Sequence, residues 1–439
     1  MHAARCILFG LLLTGMGATA SGGPTRSFLL GMTTFPYAYT AEAMAETNAF
    51  IAGNADLIVF HHDGGVPWVE ALPGDDAYLP NVIAEINDEA DAVAPGQKVY
   101  VSVTPSSQNR NAELADYWGA DHGLPLPAGW DTKQLDDPDV VTAYTNWCRY
   151  LITKLQPDYF AFGIEVALGF SGPDDPTLPQ LQTLMAQVYA TLKAENPDLP
   201  LFLTFTISSL EADQASYQQV VSSLLPFSDM LGVSVYPYGI FVPGGIETHD
   251  DPATIPTDYL TRLTDLAQGK PVVISETGYP AENLDISIPP APPVPGFELH
   301  IAATPQWQSD YVQKLLTDIN AMGVEFCVWF LPRDHDLLNQ QFMDLGIPLD
   351  PFAFFFWRDD GLLDGAGAER LSLTTWRQWL ALPQRRPSDI NHDGAVDTAD
   401  LGLLIGAFGG ADFRVDLNAD GEVDTADLGL LISDYSGRP

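Results

Sequence analysis

The chain has 439 residues, and its 58 Asp plus Glu against 19 Lys plus Arg give a formal charge of −39 at pH 7. A surface that acidic repels polyanions, which sets aside nucleic acid and anionic lipid headgroups as partners. Hydrophobic residues at 46% and aromatics at 11% supply a large core, which excludes wholesale disorder, and the length suits one large domain or two unequal ones. In chain order, residues 1–20 read first, as an export signal. His2 and Arg5 open it, Cys6 to Gly17 runs apolar, and Ala18-Thr19-Ala20 offers small residues for cleavage. The apolar run falls short of the ~20 residues that a membrane-spanning helix needs. The expectation is a secreted or cell-surface protein without stable membrane insertion. Loss of the signal leaves Cys148 and Cys327. Two cysteines make no disulfide framework, and both are expected as inert core residues.

From residue 21 to 381, short apolar runs alternate with longer amphipathic ones. The apolar runs fall at 28–35, 57–62, 99–104, 159–165, 201–207, 230–236, 271–276 and 325–331. Their β-branched and aromatic content, with Pro or Gly soon after most of them, reads as strands. Helical patterns lie at 41–51, 140–155, 178–194, 216–225, 258–267, 307–322 and 373–380. Eight nearly continuous apolar strands with intervening helices predict a parallel sheet covered on both faces, closed as an α/β (β/α)₈ TIM barrel. An open doubly wound sheet is the alternative, and it is disfavoured because no Gly-x-Gly-x-x-Gly follows the first strand. Long segments follow several strand ends, at 105–136, 237–257, 280–303 and 332–370. The third holds the stiff Pro289–Pro295 stretch, read as a loop spacer.

In such a barrel the chemistry sits at the C-terminal strand ends. Strand four ends Phe160-Ala161-Phe162-Gly163-Ile164-Glu165, and strand seven ends Val272-Val273-Ile274-Ser275-Glu276-Thr277-Gly278-Tyr279-Pro280. A carboxylate closing an apolar run is costly unless it is paired or used. Either Glu alone is explained by a helix cap or an Arg partner. Together, at one end of the barrel, they form the pair that retaining glycoside hydrolysis requires, with carboxyls about 5–5.5 Å apart. His61-His62-Asp63 follows strand two. Neighbouring strand residues face opposite sides, so both histidines cannot bind one metal in the barrel mouth. A single His (His61) or Asp63 touching sugar hydroxyls is the expected role, with a satisfied core histidine as the alternative. Asp334-His335-Asp336 reads as a solvated loop. Trp68, Trp118, Trp130, Trp307 and Trp357 lie in or beside these top-face segments, as core residues or sugar-stacking platforms.

These features resemble the clan of (β/α)₈ glycoside hydrolases with an acid/base Glu on strand four and a nucleophile Glu on strand seven. Within it, Ser275-Glu276-Thr277-Gly278-Tyr279-Pro280 and Ser234-Val235-Tyr236-Pro237-Tyr238 are similar to glycoside hydrolase family 53, the endo-β-1,4-galactanases. The resemblance implies a polysaccharide substrate, Glu276 as nucleophile, Glu165 as acid/base and Tyr236 hydrogen-bonded to Glu276. It also implies Trp329 as the aromatic floor under the sugar. The clan places Asn before its acid/base Glu, to hold the sugar 2-hydroxyl. Here that residue is Ile164, a departure that suits a non-catalytic carbohydrate-binding or scaffold protein as the second reading. A metal-dependent hydrolase using His61 or His62 is the third.

After a short polar break at 382–387, residues 388–439 contain a repeat. Asp397-Thr398-Ala399-Asp400-Leu401-Gly402-Leu403-Leu404-Ile405 recurs letter for letter at 424–432. The spacing is that of EF-type calcium loops, with ligands at positions 1, 3, 5, 9 and 12, a backbone carbonyl at 7 and Gly at 6. Two Ca²⁺ ions are therefore expected. The first set is Asp389, Asn391, Asp393, Ala395, Asp397 and Asp400. The second is Asp416, Asn418, Asp420, Glu422, Asp424 and Asp427. Asp at position 12 and the lack of a long entering helix resemble dockerin type I modules, small all-α calcium-binding units. That resemblance implies a cohesin-type or surface-scaffold partner. The helices after the loops lack the basic residues many dockerins carry there, and surface attachment or stability is an equal role for the module.

Overall fold

The computed structural model describes residues 25–435 apart from 109, 208–213, 243–244, 289–296, 347–354, 385–386, 392–394, 411, 413 and 419. The export-signal reading, the Pro289–Pro295 spacer and Asp393 therefore lie outside the described residues. The chain divides into two compact units, Arg26–Gln384 and one that includes Arg385–Pro439.

In the larger unit twelve strands are described. They are β1 (Leu29–Thr33), β2 (Leu57–His62), β3 (Lys98–Val103), β4 (Tyr159–Ala161), β5 (Leu201–Thr206) and β6 (Leu231–Val235). Next come β7 (Gly239–Val242), β8 (Gly245–Thr248), β9 (Val272–Thr277), β10 (Leu284–Ile288), β11 (Phe297–Ile301) and β12 (Phe326–Trp329). Eight of them close a barrel in the order β1-β12-β9-β6-β5-β4-β3-β2, every pairing parallel. Each apolar run predicted as a strand contributes one of the eight. The closed sheet rules out the open doubly wound alternative. The helix at Pro80–Ala92 and the antiparallel hairpins β7–β8 and β10–β11 were not legible. The hairpins lie within segments read as loops, which carry short strands on the β6 and β9 ends of the barrel.

Alternation along the strands sorts two cores. Leu57, Val59, Tyr100, Ala161, Phe202, Val273, Phe326 and Val328 fill the barrel interior. Ile58, Phe60, Val101, Phe160, Leu203, Ile274 and Cys327 face the surrounding helices. Cys148 and Cys327 are free and buried, as expected of core thiols. The two ends of the unit are clasped by Arg26, whose guanidinium reaches Asp56 at 2.7 and 2.8 Å and the carbonyls of Phe28, Leu380 and Leu382. No described helix is long and apolar enough to cross a membrane.

In the smaller unit, helices Thr398–Ala407 and Thr425–Asp434 carry the two repeats. Val396, Leu404, Val415, Val423 and Leu431 form its own core, and Val423 exchanges backbone hydrogen bonds with Gly409 and Gly410.

Candidate active site

Glu276 owes its direction to an irregularity. On β9, Val273 faces the interior and Ile274 the helices, so a regular strand would turn Glu276 to the helices as well. Pairing with β6 shifts between Val233↔Ile274 and Ser234↔Glu276. The extra residue, Ser275, is a β-bulge that returns Glu276 to the mouth. There its carboxylate accepts a hydrogen bond from the Tyr236 hydroxyl. Thr277 then points outward and bonds Tyr311 at 2.7 Å. A Cβ on Gly278 would collide with the Asp360 carboxyl, which is why glycine follows the bulge.

Glu165 is reached by a different route. β4 stops at Ala161, four residues short of the predicted end, and Glu165 adopts φ +47°. That conformation costs a non-glycine residue about 1–3 kcal/mol and persists only where the surroundings impose it. Here Thr204 imposes it, its Oγ1 accepting from Glu165 N at 2.9 Å and its carbonyl from Val166 N at 3.1 Å.

A run of charged groups joins the two glutamates. Arg110 Nε lies 3.9 Å from Glu165 Oε2, and Arg110 Nη2 bonds Asp63 at 3.1 Å. Asp63 faces His61 Nε2 at 3.7 Å, His61 Nδ1 meets Ser102 Oγ at 3.0 Å, and the charge of Glu276 acts on His61. His61 thus enters the mouth while His62 turns outward to Glu89 at 3.2 Å and stacks on Trp118. The split follows from strand alternation and removes the paired-histidine metal reading.

Burial pushes the Glu276 carboxyl up to about 7, aided by the charges of Glu165 and Asp63 and opposed by His61 and the Tyr236 hydroxyl. Burial disfavours a charged His61, yet the hydrogen bond and charge of Asp63, with the charge of Glu276, raise it above its ordinary value. Burial likewise works against the Asp63 carboxylate, but His61 and Arg110 prevail and hold it well below the usual range. A buried carboxyl with a raised pKa beside a second carboxyl is the electrostatic arrangement of an acid–base pair.

Two expectations need correction. Trp329 is fully buried on the helix side, its indole against Tyr311 and Trp376 and its Nε1 on the Asp360 carbonyl. It is no floor for a ligand, because alternation from Phe326 and Val328 sends Phe330 inward instead. Phe330 is half-buried, with ring neighbours Phe35 at 5.2 Å, Trp357 at 5.8 Å and Tyr236 at 6.2 Å. Trp68, Trp118 and Trp130 are core. The Asp334–Asp336 segment is not simply solvated. Asp334 is buried against Arg370 and Gly361 N, and burial pushes its carboxyl up to about 8 against the pull of Arg370. Asp334, Asp336 and Asp359 each bring an oxygen within 4.8 Å of the others. Arg370 and Arg358 already pair with them, and we read the cluster as an ion-pair network.

In the smaller unit the ligand-type oxygens turn onto their own backbone. Asp427 accepts from Leu417 N, Asn418 N and Asp424 N, and Asp400 from Asn391 N and Asp397 N. Both carboxylates are fully buried. Asp416 accepts from Asp420 N and Gly421 N, and Gly421 has φ +91° as a sixth-position turn requires. The described donor set is all oxygen and fits Ca²⁺.

No known family profile matches the chain, and no curated protein matches its sequence. Solved structures do. Exo-beta-1,4-mannosidase Op5Man5 from Opitutaceae bacterium strain TAV5 aligns at TM-score 0.54 and 15% identity, over 82% of this chain and 60% of its own. This chain thus spans less than two thirds of that relative. GH5_18 from Streptomyces cattleya, in complex with GlcNAc, aligns at TM-score 0.54 and 16% identity, over 94% of this chain and 97% of its own. A GH53 catalytic domain from Ignisphaera aggregans aligns at TM-score 0.47 and 15% identity, over 82% of this chain and 98% of its own. What the first two likenesses establish is the fold, a closed (β/α)₈ barrel.

Proposed function

We propose that the chain is a secreted, retaining glycoside hydrolase of a β-linked polysaccharide, with Glu276 as nucleophile and Glu165 as acid/base. The observation that carries this is the convergence of both glutamates on one mouth, joined through Arg110, Asp63 and His61. Glu276 attacks the anomeric carbon as Glu165 gives its proton to the leaving oxygen. Glu165 then takes a proton from the water that releases the sugar from Glu276. The mechanism needs one proton on the pair. In the free site burial favours that proton on Glu276, and the mechanism requires it on Glu165 when Glu276 attacks. Burial raises the Glu276 carboxyl to about 7, and the charge of Glu165 beside it adds to the rise. Loss of that proton sets the alkaline limb of activity. Tyr236 steadies Glu276, His61 and Asp63 are placed to meet sugar hydroxyls, and Phe330 with Trp357 offers aromatic faces to the ring.

A galactan substrate rests on the strand-six and strand-seven motifs alone, and the mannosidase neighbour makes β-mannan an equal member of the test panel. Glu276→Gln and Glu165→Gln are assayed for reducing ends on β-galactan, β-mannan and β-glucan. Undiminished hydrolysis in either variant overturns the assignment. Tight binding without release of reducing ends favours the binding-protein reading, which the buried, apolar Ile164 supports.

For the smaller unit the proposal is a dockerin-like module with two Ca²⁺ ions, held by Asp389, Asn391, Asp393, Ala395, Asp397 and Asp400 and by Asp416, Asn418, Asp420, Glu422, Asp424 and Asp427. The ions would neutralise carboxylates that otherwise repel one another. A cohesin-type or surface-scaffold protein is its proposed partner.

A further inference from the structure

Arg110 was not among the residues that the sequence singled out, yet the site is built around it. It lies in the long segment after β3, it is 7% exposed, and its backbone has φ +53°. Glu165 is left-handed as well, so two strained non-glycine residues belong to one site. They are tied together, because the Arg110 carbonyl accepts from Gly169 N at 3.1 Å, four residues beyond Glu165. Arg110 N in turn donates to the Ser107 carbonyl at 2.8 Å. Strain of this kind is kept where it serves a site. The guanidinium is fixed on one side by Asp63, while its Nε stops 3.9 Å from Glu165 Oε2, just beyond hydrogen-bond length. Its Nη1 is buried and has no hydrogen-bond partner, although a buried donor ordinarily has one. A small movement of the Glu165 carboxyl would close this contact, and catalytic hydrogen bonds commonly tighten when substrate binds.

We propose that Arg110 is the positioning residue of Glu165, aiming its carboxyl at the leaving oxygen and holding the carboxylate that forms when the proton has gone. The proposal rests on the glycosidase reading and deepens it. Asp63 anchors the far side of the guanidinium, and His61 anchors Asp63. The three side chains therefore act as one brace from strand two and the segment after strand three. No atoms are exchanged with Arg110: the proton passes from Glu165 to the leaving oxygen, and Arg110 remains a cation throughout.

The test compares leaving groups. Wild type, Arg110→Met and Arg110→Lys are assayed on 2,4-dinitrophenyl and unsubstituted phenyl β-galactosides, β-mannosides and β-glucosides and their disaccharide homologues. The dinitrophenolate leaves without a proton, so it reports on Glu276 attack alone. Arg110→Met is expected to lose about 10²-fold in kcat/KM on the phenyl substrate, within the range of general acid catalysis, and less than about threefold on the dinitrophenyl one. Arg110→Lys is expected to recover part of the loss. Equal losses on both substrates would reduce Arg110 to a structural residue and overturn the proposal while leaving the glycosidase reading intact. Wild type that cleaves none of the panel overturns both. If Arg110→Met fails to fold, Asp63→Asn, which frees the guanidinium without removing it, is read by the ratio of its phenyl to dinitrophenyl losses, in which any lost sugar contact cancels. A ratio above unity supports the brace, and a ratio unchanged from wild type refutes it.

Discussion

The two units of this protein each bury carboxylates, and they do it in opposite ways. Glu276 is 9% exposed, and its described hydrogen bond is to one tyrosine hydroxyl. Burial and neighbouring carboxylates raise its pKa. Asp427 is fully buried, but three backbone N–H groups converge on it at the start of a helix, where the dipole also favours negative charge. The first carboxyl is held in tension with its surroundings, as the proposed nucleophile would be. The second is satisfied, as a ligand or cap must be. Burial alone says nothing about function; the donors around the carboxyl do.

Breaking the comparison at its reactive end gives the largest effect. Glu276→Gln should lower kcat by about 10⁴-fold or more, and Glu165→Gln by about 10²–10⁴-fold on substrates with poor leaving groups. Both should keep the wild-type circular dichroism spectrum. At the satisfied end, chelation tests whether backbone donors suffice. With EDTA, the smaller unit should lose its separate calorimetric transition while the barrel transition stays, and Asp427→Ala should do the same at low calcium. An unchanged trace would dismiss the calcium reading.

The pH dependence of stability sharpens the contrast further. Glu276 has a folded-state pKa near 7 against an ordinary 4.5. Its contribution is therefore fully present below about pH 4.5 and lost as pH rises through 7. Glu276→Gln escapes that loss. The variant should be more stable than wild type at pH 8, by up to roughly 3 kcal/mol, with the gap narrowing toward pH 5 in urea melts. The smallest effect separates the two aromatics of strand eight. Phe330→Ala should raise KM several-fold with little change in melting temperature, whereas Trp329→Phe should cost about 1–3 kcal/mol of stability and leave KM alone.

Much of this was legible in the chain. Eight apolar runs became eight barrel strands because a strand covered on both faces needs a continuous apolar sequence, a local property. His61 and His62 parted as alternation requires. The same rule, carried along strand eight from Phe326 and Val328, would have chosen Phe330 over Trp329; the family resemblance pointed to the tryptophan instead. Strand seven is the converse. Strict alternation turns Glu276 away from the mouth, and only the bulge at Ser275 restores it. No residue pattern announces that bulge, because it arises in register against β6 and β12.

By itself, then, the sequence determined the barrel, the two glutamates that close strands four and seven, and the repeated oxygen-ligand pattern of the tail. These depend on periodicity and spacing, which are written in the chain. Tertiary structure decided where each group points and what surrounds it: the bulge that aims Glu276, the left-handed turn that presents Glu165, and the meeting of Arg110 with both Asp63 and Glu165. Each comes from contacts between segments tens of residues apart, where burial and neighbouring charge act together on one side chain. A −39 chain has acids everywhere, and only the fold singles out the few that burial and neighbouring charge perturb.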